Sequence, residues 1–331
     1  MLLLETHSMD AAFNFSVEEH LVNTLKKGES ALLLWRTGRT VMLGRNQVAK
    51  AEINEKAADA HGVKVVRRHS GGGAIYTDPG VLLYSVIAPY DNENDVRAIF
   101  YESIVAPIIA LLGDMGVRAS FEGRNDIVVA GRKVSGLAQF IRNGRICSHA
   151  SLLYDADLEM LSAVLNADGE KISGKALRSV RSRVANLKEF MHSPPSMETF
   201  CSRVKARLSA AGAVPRALSE TDAEAARSIQ KARFDKPEWT YGSAPRYSFK
   251  NSVRFPGGRI EVYADVKDGL IEDCRIMGDF LGLSPIGELE SLLRGVRFDA
   301  ASVAVALDSR RGDLPRYLGG ISAEELLACM F

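Results

Sequence analysis

Two stretches of the chain carry an apolar residue at every fourth position. The first runs from Phe13 to Leu25 and is followed by Gly28. This spacing puts the apolar side chains on one face of a helix, and glycine commonly ends a helix, so we expect a helix over 11 to 27. The second stretch runs from Val96 to Ile108. It predicts another amphipathic helix, with Pro107 as the site of a kink.

Short runs rich in β-branched and aromatic residues lie between glycines. They are "ALLLWR", "TVMLG", "VKVVRR", "GAIYT" and "VLLYSVI", followed later by "DIVVAGRKVSGLAQF" and "RICSHASLLY". Runs of this length bounded by turn residues are typical of strands. We expect the first five to be adjacent strands of a sheet. Because helices and strands alternate irregularly to about residue 190, the pattern predicts a mixed-sheet α/β domain.

The alternation stops at the pair Pro194 and Pro195, in "MHSPPSMETF". Two helical segments follow, over 196 to 212 and 220 to 233. Proline pairs mark breaks between regular elements. We therefore interpret this stretch as a connector that begins at about residue 192.

The last part of the chain has a pattern of its own. "RIEVYADVKDGLIEDCRIMG" predicts two strands joined by a Lys-Asp-Gly turn, and two amphipathic helices are expected after it. We expect two domains, one over 1–238 that includes the connector and a small α+β domain over 239–331.

Composition excludes several classes of protein. The chain has 331 residues and a net charge of +1, with 42 Lys and Arg against 41 Asp and Glu, so no general attraction to nucleic acid or a membrane is expected. Its apolar runs are far shorter than a membrane span. Four scattered cysteines, without a secretory signal or close pairing, predict reduced thiols in a cytoplasmic protein. They are Cys147, Cys201, Cys274 and Cys329.

The stretch "RRHSGGGAIYTDPG" sets two arginines beside three glycines. Glycines let backbone N–H groups crowd around an anion, and arginine forks suit phosphate or carboxylate. The alternative is an ordinary turn with solvated arginines. The chain contains neither G-x-x-x-x-G-K-S/T nor the dinucleotide-binding fingerprint, so an anion-binding loop here would belong to another class.

Polar residues also interrupt "GRNDIVVAGRKVSG". Asn125 and Asp126 offer the oxygens that Mg²⁺ prefers, although the same pair favours a turn. Lys133 has an ammonium that could reach a carboxylate and a phosphate together, although a lysine on the solvent face of a strand is more common. His149 is a candidate base or ligand and also a candidate buried, hydrogen-bonded histidine. Cys147 is interpreted as a structural thiol.

The segment "KISGKALRSVRSRVANLK", residues 171 to 188, has six basic residues and no acidic one. It predicts either a solvated basic element or a mobile arm that closes over phosphates, with Gly174 as a hinge.

Taken together, these motifs resemble those of lipoate–protein ligases, members of the biotin/lipoate ligase superfamily. The motifs "NFSVEEHL", "LGRNQ", "RRHSGGGAIYTD", "GRNDIVVAGRKVSGLAQF", "SHASLLYD" and "LRSVRSRVANLKEFM" occur in the family's order. "EWTYGSAPRYSF" and "GDFLGLSPIGELESLLRG" are similar to the accessory domain of two-domain members. The resemblance covers essentially the whole chain. It implies that family's mixed-sheet catalytic domain followed by a smaller α+β accessory domain.

The resemblance also implies a reaction with two steps. Lipoate and ATP, with Mg²⁺, form lipoyl-adenylate and pyrophosphate. The acyl group then passes to a lysine on a lipoyl domain of a 2-oxoacid dehydrogenase complex or on the glycine-cleavage H protein. Such chemistry needs positioning and cations more than a protein nucleophile.

Residue roles carried over from the family are as follows. The loop around the lipoyl chain and adenylate comprises Arg68, Ser70, Gly71, Gly72, Gly73, Ala74, Ile75 and Tyr76. Asn125 serves the phosphate, Asp126 serves Mg²⁺, and Lys133 is the catalytic residue that bridges acyl carbonyl and phosphate. Ser135, Gly136 and His149 line the acyl pocket. The loop that folds over adenylate includes Ser179, Val180, Arg181 and Arg183.

The chain departs from the family pattern at three positions. Thr77 and Val81 replace a His and an Asn, and Ala150 replaces a Gly. These departures put the roles of the missing side chains in doubt. Two alternatives stay open. One is a cysteine-dependent octanoyl or lipoyl transferase, which shares this fold. The other is a catalytically silent module that binds lipoate or nucleotide and has lost catalysis through the substitutions at Thr77 and Val81.

Overall fold

A computed structural model describes residues 1–90, 100–123, 125–166, 183–242 and 248–331, apart from the Lys50 side chain. The chain divides into two compact units. Unit 1 comprises Met1–Met42, Ile53–Val66 and Ile75–Thr240, and unit 2 comprises Leu43–Glu52, Arg67–Ala74 and Tyr241–Phe331. The two short stretches that carry "LGRNQ" and "RHSGGGA" thus pack with the C-terminal part of the chain. Among the described residues, no helix is long and apolar enough to span a membrane.

The strands before residue 241 form two sheets. They are β1 (Leu2–Glu5), β2 (Ala31–Trp35), β3 (Thr40–Leu43), β4 (Lys64–Arg67), β5 (Ile75–Thr77), β6 (Val81–Pro89), β7 (Ala119–Glu122), β8 (Asp126–Val129), β9 (Arg132–Arg142), β10 (Arg145–Leu153) and β11 (Val214–Pro215). A mixed eight-stranded sheet has the order β11-β1-β2-β6-β10-β9-β8-β7, and β4-β3-β5 form a small second sheet. The prediction of a mixed-sheet α/β fold is confirmed. The expectation that the first five runs share one sheet is wrong, because β3, β4 and β5 pair apart from β2 and β6.

The helices of the same region are α1 (Ala11–Thr24), α2 (Ala49–Glu52), α3 (Glu55–Ala60), α4 (Ala106–Asp114), α5 (Leu158–Val164), α6 (Met197–Ala210), α7 (Glu220–Ile229) and α8 (Pro237–Thr240). Helices α6 and α7 are the two expected in the connector. A π-helical turn, Tyr101–Val105, leads into α4, so the change of helical geometry lies just before Pro107.

The large sheet is covered on both faces. Along β2, Leu32 and Leu34 belong to one apolar cluster, whereas Leu33 and Trp35 belong to the other. Side chains alternate across a strand, so the two clusters lie on opposite faces. Strands buried on both faces are nearly continuous in apolar residues, which explains "ALLLW" and "VLLYSVIA".

Helix α1 is more deeply buried and shorter than its apolar stripe predicts. Almost all its residues from Ala11 to Val22 are buried. It ends at Thr24 and not at residue 27, because the guanidinium of Arg145 binds the carbonyls of Leu25, Lys26 and Glu29. These carbonyls are thus satisfied by a tertiary contact and not by further helical turns.

The turn "TDPG" has a clear structural role. Asp78 accepts hydrogen bonds from the backbone N–H groups of Gly80 and Asp157, each at 2.8 Å. A Cβ atom on Gly80 would lie 2.0 Å from the carbonyl oxygen of Asp155. The turn therefore needs glycine because the backbone of the next segment touches it.

Unit 2 has its own sheet and core. Its strands are β12 (Phe249–Phe255), β13 (Gly258–Lys267) and β14 (Leu270–Gly278), and its later helices are α9 (Gly287–Leu293), α10 (Ala300–Asp308), α11 (Leu314–Leu318) and α12 (Ala323–Met330). The Lys-Asp-Gly hairpin is confirmed. The sequence analysis missed β12, and four short helices take the place of the two expected.

Within unit 1, Asp222 joins helices α7 and α1. One oxygen lies 2.9 Å from His20 Nε2, and the other accepts a 2.6 Å hydrogen bond from the Ser219 hydroxyl. These bonds, that of Ser219 foremost, lower the pKa of Asp222 from 3.8 to about 2. A carboxyl group whose pKa is lowered in the folded protein stabilises the fold when the pH is above its ordinary pKa. This stabilisation disappears as the pH falls towards the pKa of the folded state.

We expect Asp222→Asn to lower the free energy of unfolding by about 1 kcal/mol at neutral pH, a figure reduced for the partial exposure of the carboxylate. Denaturant titrations of the full chain measure it. The difference from wild type should shrink as the pH falls from 3.8 towards about 2. Glu220→Gln, at an exposed ion pair in the same helix, is the control and should change little. Equal stability of Asp222→Asn and wild type at neutral pH would contradict this role.

Candidate active site

In unit 1, Lys133 and Asp126 form an ion pair on neighbouring strands. Lys133 Nζ lies 2.7 Å from Asp126 Oδ1, and the two side chains are 37 % and 31 % exposed. Both remain accessible to a small molecule. A cation and an anion are thus held together where a substrate can reach them.

The strand register explains why these two side chains meet. In the β8–β9 pair Asp126 lies opposite Gly136, and Val128 lies opposite Lys133, with an irregularity between Ile127 and Val128. A Cβ on Gly136 would lie 2.8 Å from Lys133 Cε and 2.9 Å from Nζ. Gly136 therefore leaves the space through which the lysine side chain passes to Asp126.

Asp126 also offers an oxygen suited to a metal ion. Oδ1 is enclosed, and the ammonium approaches it outside hydrogen-bond geometry, so it has no hydrogen-bond partner. A buried carboxylate oxygen without a directed donor is suited to a hard cation such as Mg²⁺. The Asn125 side chain differs from that of Asp126, because it donates a hydrogen bond to the Leu137 carbonyl at 3.0 Å.

Other predicted residues lie on the same strands. Ser135 is buried, and its hydroxyl is 3.3 Å from that of Tyr84. The Lys133 carbonyl accepts a hydrogen bond from the Ala185 backbone at 3.0 Å, and Lys133 pairs in parallel with Val184. The end of the basic segment is thus attached to the strand that carries Lys133. Arg183 is exposed just before this contact, whereas Ser179, Val180 and Arg181 lie outside the described residues.

His149 belongs to a buried polar network. Its Nδ1 lies 3.2 Å from both carboxylate oxygens of Glu18. The Ser85 hydroxyl donates to Glu18 Oε1 at 2.5 Å, and Trp35 Nε1 donates to the Ser85 hydroxyl at 2.9 Å. This order of donors and acceptors fits a carboxylate at Glu18 and a proton on His149 Nδ1.

Cys147 is fully buried two positions before His149. Burial, with a smaller effect of the Glu18 carboxylate, raises the pKa of the Cys147 thiol. A thiol of raised pKa is a poor nucleophile at neutral pH. The interpretation of Cys147 as a structural thiol fits this environment.

In unit 2, Arg68 holds the backbone of the glycine-rich loop, and Arg67 holds the backbone of the segment that carries "LGRNQ". Arg67 Nη1 donates to the carbonyls of Gly44, Arg45 and Gln47 at 2.7 to 3.0 Å. Arg68 donates to Ser70 Oγ and to the carbonyls of Gly71 and Gly73. Both side chains are buried, so the alternative of solvated arginines is wrong. Burial lowers the pKa of Arg67 to about 10, so it remains a cation at neutral pH.

Close backbone approaches explain the glycines of this loop. A Cβ on Gly44 would lie 1.9 Å from the Gly72 carbonyl oxygen, and one on Gly71 would lie 2.5 Å from that of Phe280. The Gly72 N–H donates to the Phe280 carbonyl at 3.2 Å. Gly72 also has φ +87°, which favours glycine. Gly73 has open space around it.

The remaining loop residues and the three departures take structural positions. Ala74 and Ile75 are half-buried, and Tyr76 is buried on β5. The Thr77 hydroxyl lies 2.8 Å from that of Thr37. Val81 and Ala150 belong to the apolar clusters of the large sheet. The three departures thus consist of a hydrogen-bonded hydroxyl at Thr77 and apolar side chains at Val81 and Ala150.

The sequence analysis missed the partners of the site. Glu18, Ser85 and Trp35 orient His149, and Gln47 accepts from the Gly44 backbone at 2.8 Å. The spacing of Asn14 and Glu18 by four residues in α1 was an available indication. Polar residues inside an otherwise apolar helix, one turn apart, mark a buried polar stripe.

Family models match both parts of the chain. Residues 10–209 match the lipoyl protein ligase A/B catalytic domain, and residues 244–330 match the bacterial lipoate protein ligase C-terminus. A lipoate-protein ligase of Bacillus subtilis (strain 168) is 36 % identical over 336 residues, covering 100 % of both chains.

Solved structures are also similar. The crystal structure of P. falciparum LipL1 in complex with lipoate has a TM-score of 0.78 at 23 % identity, covering 93 % of this chain and 94 % of that one, and shows the fold. The bipartite ligase of Thermoplasma acidophilum, solved in a study of that ligase and its E2 lipoyl domain, has a TM-score of 0.65 at 27 % identity, covering 75 % and 98 %. A lipoate-protein ligase A bound with ATP has a TM-score of 0.62 at 27 % identity, covering 73 % and 97 %.

The order of motifs, the mixed sheet that carries Lys133 and Asp126, and the matches over both parts lead to one conclusion: the chain belongs to the lipoate–protein ligase family.

Proposed function

We propose that this protein activates lipoate with ATP and transfers the lipoyl group to a lysine of a lipoyl domain. In the first step the lipoate carboxylate attacks the α-phosphorus of ATP, a P–O bond to pyrophosphate breaks, and a mixed acyl-phosphate anhydride forms. In the second step the acceptor amine attacks the acyl carbon. AMP leaves, and the nitrogen loses a proton as the amide forms.

The pair of Lys133 and Asp126 is the observation that carries this proposal. A carboxylate that approaches a phosphate meets strong like-charge repulsion, so a fixed cation is required. The Lys133 Nζ atom lies 2.7 Å from Asp126 Oδ1, and the lysine side chain occupies the space left by the missing side chain of Gly136. We propose that the ammonium stabilises the negative charge that grows on a phosphoryl oxygen in the first step and on the carbonyl oxygen in the second.

We assign the remaining roles as follows. Arg68, Ser70, Gly71, Gly72, Gly73, Ala74, Ile75 and Tyr76 serve the lipoyl chain and adenylate phosphate. Asn125 contributes to phosphate binding, Ser135, Gly136 and His149 line the acyl pocket, and Ser179, Val180, Arg181 and Arg183 close over adenylate. Support comes from the way Arg68 orders the loop backbone and Glu18 orients His149. Residues 1–238 carry this chemistry, and residues 239–331 are accessory.

We assign Mg²⁺ to Asp126, whose enclosed Oδ1 has no hydrogen-bond partner. When bound, the ion would neutralise phosphate charge. The acceptor class is a lipoyl domain of a 2-oxoacid dehydrogenase complex or the glycine-cleavage H protein.

The two alternatives have less support. The relatives named above are ligases, and Cys147, the cysteine closest to His149 in sequence, is buried with a raised thiol pKa. Exchange of labelled pyrophosphate into ATP that depends on lipoate separates the three functions. A ligase shows exchange, whereas a transferase and a silent binding module show none.

Lys133→Ala should slow both half-reactions by about a hundredfold to a thousandfold, because a preorganised charged donor is lost. Lipoate binding should fall less than turnover. Lys133→Arg should rescue poorly, since a planar guanidinium differs in geometry from a compact ammonium. Pyrophosphate exchange measures the first step, and transfer from presynthesised lipoyl-adenylate to a lipoyl domain measures the second.

Two further variants control this experiment. Lys205→Ala removes a surface lysine that pairs with Glu5 at 2.7 Å and should leave both rates unchanged. Gly136→Ala keeps the Lys133 ammonium but displaces it, so both rates should fall about tenfold to a hundredfold with little change in melting temperature. Near wild-type rates in both Lys133→Ala and Gly136→Ala would refute the assignment.

Asp126→Asn should raise the Mg²⁺ concentration needed for half-maximal pyrophosphate exchange, because a neutral amide holds the ion less well than a carboxylate. The matched control is Asp114→Asn, at an exposed ion pair with Arg207. A variant at position 126 that keeps full activity at limiting Mg²⁺ would remove Asp126 from the metal site.

Cys147→Ser should leave ligation largely intact, because a route through an adenylate has no acyl-cysteine intermediate. The measurement is transfer of lipoate to a lipoyl domain with ATP, together with a thermal melt that shows the variant to be folded. A folded variant without any transfer would favour the cysteine-dependent transferase.

A further inference from the structure

Three side chains of different chemistry meet inside unit 1. Glu18 lies on α1 and is 1 % exposed, whereas Cys147 and His149 lie on β10 and are 0 % and 6 % exposed. Residues two apart on a strand share a face, and α1 packs against this face of β10. One carboxylate oxygen, the Cys147 sulfur and one His149 nitrogen all lie within 4.8 Å of one another.

The spacing of two of these atoms matches a tetrahedral metal site. His149 Nδ1 is 3.2 Å from each carboxylate oxygen of Glu18. Zinc bonds of about 2.0 to 2.1 Å to nitrogen and oxygen separate the two ligands by about 3.3 Å. The sulfur would need to lie about 3.6 Å from the nitrogen. The sulfur lies within 4.8 Å of both other atoms, so its distance from the nitrogen must shorten by at most about 1.2 Å.

The surroundings resemble the outer shell of a built site. Ser85 donates to Glu18 Oε1 at 2.5 Å and is itself held by Trp35, so Glu18 is oriented while Oε2 still faces the histidine. Phe15 and Phe140 lie with ring centroids 6.0 and 6.3 Å from that of His149. Hydrogen-bonded ligands inside an apolar shell bind metal ions tightly.

We propose that Glu18, Cys147 and His149 form a binding site for one thiophilic divalent cation of the zinc class, with water in the fourth position. The site shares His149 with the proposed acyl pocket and is separate from the Mg²⁺ assigned to Asp126. Its metal binding is measured without the ligase reaction. On binding, the Cys147 thiol loses its proton to solvent and the sulfur–metal bond forms. The proton on His149 Nδ1 moves through solvent to Nε2, so that Nδ1 can bind the metal while the ring stays neutral.

The alternative is a complete hydrogen-bond network in which Cys147 takes no part. In that case the Glu18–His149 bond is the final state of the site, and an added cation finds no thiolate. The two cases differ in whether a metal–sulfur bond forms at Cys147.

Cd²⁺ is a suitable probe, because it takes the ligands of Zn²⁺ and its thiolate bond absorbs in the near ultraviolet. We expect one equivalent added to the reduced full-length protein to produce this absorption and to raise the melting temperature. Both effects should persist in Cys201→Ser, which removes the half-buried cysteine of the same unit. Zn²⁺ should displace Cd²⁺ and abolish the absorption.

Variants of two of the three ligands, Cys147 and Glu18, decide the proposal. Cys147→Ser and Cys147→Ala should both lose the absorption, and the alanine variant adds no polar atom to the buried position. Glu18→Gln should weaken Cd²⁺ binding at least tenfold, as expected for a lost ligand. Thermal melts show which variants are folded. Stoichiometric absorption that survives in either folded Cys147 variant, or no absorption in wild type, would overturn the site.

Discussion

The structure of unit 1 depends on a sheet that is buried on both faces, so every polar side chain inside it must find a partner there. An unpaired buried polar group costs about 1 to 3 kcal/mol. Glu18, Ser85, Trp35 and His149 meet this requirement by bonding to one another. The enclosed Oδ1 of Asp126 forms an ion pair with the Lys133 ammonium, although the angles do not fit a hydrogen bond. His149 is thereby held in a hydrogen-bonded network, whereas the Asp126 carboxylate is held by an ion pair.

The same constraint explains the stretch "RRHSGGG". A loop of glycines is intrinsically mobile, and its carbonyls repel an approaching anion. Arg68 binds these carbonyls and Arg67 binds those of the "LGRNQ" segment, so both segments are held by buried positive charge. Arg68 thus acts on the loop from inside. Its effect on a bound phosphate would come through backbone geometry as well as through charge.

Strand β9 connects Lys133 with another segment of the chain. The Lys133 side chain pairs with Asp126, while the Lys133 carbonyl accepts a hydrogen bond from the Ala185 N–H, near the end of the basic segment. The described end of that segment is thus hydrogen-bonded to the strand that carries Lys133.

The sequence by itself determined the fold class, most strands, the helix near the N-terminus and the family, because periodicity and motif order are local properties of the chain. It also predicted Lys133 and Asp126 as site residues, which remains a prediction. Only the tertiary structure decided that β3, β4 and β5 form a separate sheet and that Arg145 ends α1 at Thr24. It likewise decided that Arg68 faces the loop and Glu18 meets His149, 131 residues away. These outcomes depend on which distant groups share a buried space, and no local pattern encodes that.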